Sequence, residues 1–284
     1  MTQKVKILTF TMLFLLGGMG WQYTSCRKTP TEPENNPKPG KRDYVWTIDT
    51  LAYPGSFQTD MRSMYATSSD NVFIVGHNDI NRGKMYRYNG QQWTPVQLTA
   101  SEGGPIQGAI DLTAIHGSGP NDIWAVGEEI YYDPLTGRFS DSSLVIRYDG
   151  VQWRKINIPK RRTLWCVWVV SLNQVFAGSA DGVLYKYDGA QWTTFEFGVE
   201  FFFNSVAGIS SNVAYAMDNR EDKVPPIDSS GTFLFRFDGN SWVVIDSIMR
   251  TPGASPQHFG YRLISYQGAL YSSGPNIYKY ESST

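Results

Sequence analysis

One short stretch, Tyr86-Arg-Tyr-Asn-Gly-Gln-Gln-Trp93, recurs with small changes at three later places in the 284-residue chain. The copies are Ile146-Arg-Tyr-Asp-Gly-Val-Gln-Trp153, Tyr185-Lys-Tyr-Asp-Gly-Ala-Gln-Trp192 and Phe235-Arg-Phe-Asp-Gly-Asn-Ser-Trp242. Asn-Gly or Asp-Gly between aromatic, alternating flanks indicates a β-hairpin, because both residues of a tight turn need positive φ. With a two-residue turn, the first residue of each copy would face its Trp, so Tyr86 would pair with Trp93.

A second shared stretch precedes each hairpin motif and reads as strand, polar turn, strand. Its copies are Ser63–Gly76, Ala114–Gly127, Cys166–Gly178 and Ser205–Ala216. Each repeat therefore supplies four strands, and an internal period of roughly 40 to 60 residues indicates a propeller or a solenoid. A fifth hairpin motif is divided between the two ends of the chain. Tyr278–Glu281 matches its first half, and Tyr44–Thr50 matches its second half, with Trp46 in the place of Trp93.

The divided motif favours a closed ring over an open array. If residues 44–49 pair with residues 277–280 as the outermost strand of the last blade, only short, protected strand edges remain. The sequence therefore predicts an all-β fold, a five-bladed β-propeller over residues 43–284 with the N-terminal strand completing the last blade. The runs His116–Gly127 and Arg147–Trp153 also resemble the propeller repeats common in secreted bacterial proteins. That resemblance implies the fold and little about activity, because such proteins bind, scaffold or catalyse.

The first 42 residues have the features of an export signal and a tether. Lys4 and Lys6 precede an apolar stretch that is short for a membrane span. The end of residues 1–25, followed by Cys26, resembles a bacterial lipobox, although Tyr23 stands where Leu is usual. The resemblance implies that Cys26 is lipidated and anchors the protein in the cell envelope. The expected location is the outer membrane of a Gram-negative bacterium. An ordinary secretory signal that is cleaved nearby is the alternative. The proline-rich residues 26–42 are expected to form a disordered or extended tether.

Composition excludes several classes of function. A formal net charge of -1, without a long basic cluster, argues against a nucleic-acid partner. Cys166 lies in an apolar strand and is expected to be a buried thiol. His116 takes a repeat position that Tyr65 and Trp168 hold elsewhere, which indicates packing. The three histidines of the chain lack zinc-site spacing, and no phosphate-binding or nucleophile motif is found, so we expect no metal and no cofactor.

Two acidic residues allow one enzymatic alternative. Asp60 and Asp111 stand at equivalent places before the first strands of two repeats, and glycoside hydrolases use paired carboxylates. Asp before a strand is more often a turn or capping residue. The other repeats offer Thr163 and Phe202 at this place, and neither Asp has an evident partner. We therefore expect no catalytic residue, and keep a glycoside hydrolase or lyase with carboxylates in the central funnel as the alternative.

A basic residue lies between the paired aromatics of every repeat. The set is Arg87, Arg147, Lys186, Arg236 and Lys279. A ligand subsite in each blade would repeat in this way, but so would a cation that lies over an aromatic ring or pairs with a neighbouring carboxylate. We expect the structural role.

Topology points to one face of the propeller as the binding face. The connections between first and second strands, and between third and fourth strands, are short and alike. The long, irregular segments all fall at the opposite end of the propeller. Variable loops on a repeated scaffold usually carry binding specificity. The long segments are 98–110, 128–143, 218–232 and 247–260. Their aromatic and acidic side chains suit a glycan or a protein partner. The candidate binding residues are Tyr131, Tyr132, Asp133, Phe139, Asp218, Asp222, His258 and Phe259. A further alternative is an architectural subunit of an envelope complex.

Overall fold

The computed structural model describes residues 47–197, 201–218, 231–249, 259–274 and 277–280. They form five antiparallel sheets arranged as a five-bladed β-propeller, and within each blade the strands are neighbours in chain order. The predicted fold class is therefore confirmed. The signal segment, Cys26 and the tether lie outside the described residues.

Each blade is a meander whose first strand is innermost. Blade 1 contains β1 (Thr59–Ser68), β2 (Asn71–Asn78), β3 (Met85–Tyr88) and β4 (Trp93–Pro95). Blade 2 contains β5 (Ala109–Gly119), β6 (Asp122–Asp133), β7 (Arg138–Tyr148) and β8 (Trp153–Lys155), and a 3-10 turn at Ala100–Glu102 precedes it. Blade 3 contains β9 (Leu164–Ser171), β10 (Gln174–Ser179), β11 (Val183–Tyr187) and β12 (Trp192–Glu196). Blade 4 contains β13 (Phe203–Ser210), β14 (Val213–Asp218), β15 (Gly231–Phe237) and β16 (Trp242–Met249), and blade 5 contains β17 (Arg262–Tyr266), β18 (Ala269–Ser273) and β19 (Ile277–Tyr280).

The predicted N-terminal strand, residues 44–49, is tested only in its second half. Residues 44–46, Trp46 among them, lie outside the described residues, and residues 47–50 are described without a strand. β19 is the last strand described in blade 5. Completion of this blade by the N-terminus therefore stays a prediction.

The hydrophobic core lies between the blades and is built from a repeated aromatic arrangement. Phe73 on the second strand of blade 1 has its ring centroid 6.1 Å from those of both Tyr148 and Trp153 in blade 2. Two further blade pairs repeat this contact: Trp124 with Tyr187 and Trp192, and Phe176 with Phe237 and Trp242. The hairpin Trp of blades 2, 3 and 4 therefore helps to join its blade to the preceding one, since these rings bury large areas at the blade interfaces.

The hairpin register differs from the expected one. Trp93 pairs with Tyr88, and the equivalent pairs in blades 2 to 4 are Tyr148–Trp153, Tyr187–Trp192 and Phe237–Trp242. Tyr86 faces Pro95 instead. The prediction of two-residue turns was wrong because the Asn or Asp side chain closes a longer loop. Asn89 Oδ1 accepts from the backbone N–H groups of Gln91 and Gln92, and Gly90 has φ +89.

Polar side chains link the inner strands of successive blades, which share no backbone ladder. Ser63 Oγ accepts from Ile115 N, Thr113 Oγ1 donates to the Leu164 carbonyl, Cys166 Sγ donates to the Phe203 carbonyl, and Ser205 Oγ accepts from Leu263 N. Cys166 is a buried free thiol, as expected, and burial raises its pKa to about 12. A thiol in this state is a poor nucleophile.

His116 belongs to the same set of links and packs as the sequence predicts. Its Nδ1 accepts a hydrogen bond of 3.0 Å from Val169 N, and its ring lies 5.3 Å from that of Tyr65 in blade 1. Burial lowers the pKa of His116 to about 4. The ring is therefore neutral at pH 7, with its proton on Nε2.

The repeated basic residues lie over aromatic rings, which supports their structural role. The guanidinium carbon of Arg87 lies 5.4 Å from the Phe73 ring centroid, that of Arg147 lies 5.0 Å from Trp124, and Lys186 Nζ lies 4.9 Å from Phe237. Arg147 also donates to Asp122 Oδ1 at 2.9 Å. The packing thus accounts for the repetition of a cation in blades 1 to 3.

Candidate functional site

We call one end of the propeller the loop face and the other the turn face. The loop face is the end at which the inner strands begin, at Thr59, Ala109, Leu164, Phe203 and Arg262. The connections between second and third strands lie at this end, because antiparallel pairing places Ala109, the first residue of β5, opposite Ile130 of β6. The turn face carries the short loops of the hairpin motif.

A two-stranded arm extends from blade 2 at the loop face. Residues 128–143, expected to be an irregular loop, are strand except for the turn at 134–137. β5 pairs with β6 only as far as Ile130, so Tyr131–Asp133 pair with β7 alone. The expectation of a loop was wrong because cross-strand pairs continue the ladder, and the Tyr132 and Phe139 rings contact each other at 5.4 Å.

The arm exposes apolar side chains. Leu135 at its tip is 95% exposed and Phe139 is 75% exposed, and Tyr131 and Tyr132 are also exposed. Neighbouring residues of a strand point to opposite faces, so Tyr131 and Tyr132 present aromatic rings on both faces of the arm. Exposed aromatic side chains that are grouped on a protruding element are typical of a binding surface.

Asp133 shapes the tip of the arm. Its Oδ1 accepts from Leu135 N at 2.9 Å and its Oδ2 accepts from Thr136 Oγ1 at 2.8 Å. These two hydrogen bonds, the backbone one first, lower the pKa of the Asp133 carboxyl. Its observed contacts are thus those of a turn-capping residue.

The other candidate residues do not join the arm. Asp218 is buried at the end of β14, where its Oδ1 accepts from Phe202 N at 2.6 Å. Phe259 is half-buried against the core between blades 4 and 5. Asp222 and His258 lie outside the described residues. The structure therefore groups Tyr131, Tyr132, Asp133 and Phe139 and places Asp218 and Phe259 in packing positions.

Asp111 is the centre of a buried ionic network between blades 1 and 2. Its Oδ1 accepts from Lys84 Nζ at 2.6 Å, and its Oδ2 lies 2.7 Å from His77 Nδ1. The side chains of Lys84 and Asp111 are 4% and 7% exposed. Lys84 Nζ also donates to the Asn78 carbonyl at 2.5 Å. This network holds the end of β2 against the start of β5.

Asp60 has a cationic partner too, since Arg62 Nε donates to its Oδ2 at 3.0 Å. The expectation that Asp60 and Asp111 lack partners was therefore wrong. The partner of Asp111 is Lys84, which lies after β2 and outside the aligned repeat stretches. That the two carboxylates do not act as an acid/base pair stays a prediction, and the engagement of both Asp111 oxygens favours it.

Aromatic and guanidinium groups meet near the propeller axis. The Arg62 guanidinium of blade 1 lies 5.9 Å from the Trp165 ring of blade 3, which lies 5.2 Å from the Phe202 ring of blade 4. In blade 5, Arg262 Nη1 donates to the Asn204 carbonyl at 3.2 Å. In three blades the inner strand contains a β-bulge, a residue with no partner on the second strand. These bulged residues are Arg62, Trp165 and Asn204. Such bulges re-aim a side chain.

An ionic cluster that the sequence does not predict joins blades 2 and 3 beside the arm. Glu129 pairs with both Lys155 and Lys160, and the Thr163 hydroxyl lies within hydrogen-bond distance of the carboxylates of Glu128 and Asp141. Thr163 occupies the place in blade 3 that Asp60 and Asp111 hold in blades 1 and 2. Its hydroxyl is already hydrogen-bonded. The cluster stiffens the base of the arm, because Glu128, Glu129 and Asp141 lie on its two strands.

Two further observations concern the described part of the chain. No group of three or more His, Cys, Asp or Glu side chains within it is placed to hold a metal ion. It also contains no helix of the length and apolar character that a membrane crossing requires.

Comparison with known proteins found similarity among solved structures only. No family model and no curated protein matches the chain. Among solved structures, YCF48 bound to D1 peptide is 15% identical with a TM-score of 0.48, over 79% of this chain and 64% of that one. YCF48 from Cyanidioschyzon merolae is 12% identical with a TM-score of 0.47, over 78% and 65%. The WD40 β-propeller domain of Doa1 is 14% identical with a TM-score of 0.40, over 77% and 76%. The chain thus spans just under two thirds of the two YCF48 chains.

Proposed function

We propose that this protein is a non-catalytic binding protein of the cell envelope, whose loop face binds a protein partner through the β6–β7 arm. The observation that carries the proposal is the set of exposed apolar side chains on the arm, with Leu135 and Phe139 the most exposed. Leu135 favours a protein over a glycan, because an aliphatic tip offers nothing to sugar hydroxyls but fits an apolar pocket. The rigid base of the arm lowers the entropy cost of binding.

Site-specific photocrosslinking in intact cells tests this proposal. We expect p-benzoylphenylalanine at position 139 to capture one protein species, and the same probe at position 172 to capture none. Leu172 is the matched control, because it is an apolar residue, 52% exposed, in the β9–β10 turn of the turn face. The captured protein is identified by mass spectrometry and purified.

The affinity of the purified partner then decides the role of the arm. We expect Phe139→Ser to weaken binding about thirtyfold, as loss of a central aromatic contact of roughly 2 kcal/mol would, and Leu172→Ser to leave it unchanged. Equal affinities of the two variants, or equal capture at both positions, would refute the assignment. Binding to a glycan array that Phe139→Ser abolishes would replace the protein partner by a glycan.

In this proposal, a lipid on Cys26 anchors the protein to the membrane. The charged and apolar N-terminal segment that ends in Thr-Ser-Cys supports it. We expect metabolic labelling with a palmitate analogue to mark the wild-type protein and not Cys26→Ala, which should also leave the membrane fraction. Equal labelling of the two proteins would exclude lipidation at this residue.

A further inference from the structure

A groove separates the outer strands of blade 1 from the hairpin of blade 2, and it lies away from the arm. Its volume is about 470 Å³. Its walls combine three aromatic residues with polar side chains: Phe73, Tyr148, Trp153, Arg87, Thr94, Gln97 and Gln152. This size is that of a small-molecule site. Phe73 and Trp153 are almost completely buried between the blades, so the half-buried Tyr148 is the aromatic residue of the lining that offers surface to a ligand.

One wall of the groove is a preformed loop. The segment 97–106 contributes Gly103, Gly104 and Pro105 to the lining. Leu98 and Ile106 bury the base of the segment in the core. Glu102 braces it, because its Oε1 accepts from Gly83 N at 2.8 Å and its Oε2 from Thr99 N at 3.1 Å. A ligand would therefore meet a wall that needs no ordering.

The charge of Arg87 distinguishes this groove from the equivalent place in blade 2. Arg147, at the same repeat position, donates from Nε to the carboxylate of Asp122. In blade 1, Asn71 replaces that Asp, and Arg87 Nε donates to the Asn71 amide oxygen at 2.8 Å. Among the residues that the structure describes, Arg87 has no carboxylate within ion-pair distance. The groove thus contains an exposed guanidinium whose charge is not neutralised by a direct partner.

We propose that this groove binds a monosaccharide unit that carries a carboxylate on its pyranose ring. The guanidinium of Arg87 pairs with the carboxylate, since Arg matches carboxylate geometry with two parallel N–H donors. The half-buried ring of Tyr148 receives the C–H face of the sugar, and the hydroxyl of Thr94 and the amides of Gln97 and Gln152 bond to its hydroxyls. A protein partner would need an interface of roughly 1,000 Å² or more, which a groove of this size does not offer.

Titration calorimetry on the full-length protein in detergent tests the groove. The ligands are D-glucuronate and N-acetylneuraminate, which carry the same chemistry from two sources, with D-glucose and N-acetylglutamate as controls. We expect one or both acidic sugars to bind, and D-glucose to bind at least tenfold more weakly, because it lacks the charge-assisted hydrogen bonds. The acidic sugar that binds more tightly shows whether the groove recognises a uronic acid or a sialic acid.

Three variants separate recognition by Arg87 from general loss of structure. We expect Arg87→Gln to weaken acidic-sugar binding at least tenfold, and Asn71→Asp to do the same by giving Arg87 the partner that Arg147 has. Lys186→Gln, which removes the equivalent cation of blade 3 outside the groove, should leave the affinity unchanged. No binding of either acidic sugar, equal binding of D-glucose, or equal affinity of Arg87→Gln would overturn the proposal. Binding of N-acetylglutamate alone would assign the groove to acidic peptides instead.

Discussion

Replacement of Lys84 by Met should lower the free energy of unfolding by about 3–5 kcal/mol, as is typical when one partner of a buried ion pair is removed. The Asp111 carboxylate would remain buried between blades 1 and 2 with His77 as its other partner, and the Asn78 carbonyl would lose a donor. Chemical denaturation of the wild type and the variant at neutral pH measures the difference.

Two controls accompany the Lys84 variant. Lys155 pairs with Glu129 but is 38% exposed, so Lys155→Met should cost less than about 1 kcal/mol. The double variant Lys84→Met/Asp111→Leu removes both charges, and we expect it to regain a large part of the lost stability, since apolar replacements of buried ion pairs are often tolerated. If Lys84→Met is as stable as Lys155→Met, the network does not hold the two blades together.

Acidification should destabilise the propeller through His116. The pKa of this residue is about 4 in the fold against 6.5 for the free side chain. Between these values the unfolded chain binds a proton that the folded chain does not, so stability falls as the pH is lowered through this window. The difference of about 2.5 pH units corresponds to about 3.5 kcal/mol at most, at about 1.4 kcal/mol for each unit. Urea unfolding between about pH 7 and pH 4 measures it.

The matched variant is His116→Asn. Its amide oxygen can still accept the hydrogen bond from Val169 N, but the side chain does not titrate. We expect the variant to be less stable than the wild type at pH 7, through lost ring packing with Tyr65, and to lose less stability on acidification. A variant whose stability falls with pH as steeply as that of the wild type would show that other groups cause the acid sensitivity.

The β6–β7 arm shows why the candidate site was only partly predictable. Tyr131, Tyr132, Asp133 and Phe139 were found because exposed aromatics beside an acid stand out in a long insertion. Their arrangement on two paired strands was missed, because the insertion has no periodicity that separates a strand extension from a loop. Asp218 was expected to be an exposed loop residue but is buried. The sequence does not show that the backbone N–H of Phe202 donates a hydrogen bond to it.

The sequence by itself determined the repeat, the number of blades and the residues that recur in each interface. These properties are encoded locally, in hairpin motifs of eight residues and in strand patterns that each repeat spells out again. Within a hairpin motif, the sequence did not predict the strand register correctly. The register depends on the Asn or Asp side chain that caps the turn, so that Trp93 pairs with Tyr88 rather than Tyr86.

Only the tertiary structure decided which polar groups meet. Lys84 and Asp111 are 27 residues apart and belong to different blades, so their contact depends on how two sheets pack. The free charge of Arg87 likewise appears only when Asn71 is seen in the place of Asp122, beside a groove formed by two blades. Local periodicity encodes pairing within a blade, whereas contacts between blades depend on packing across repeats that no short pattern records.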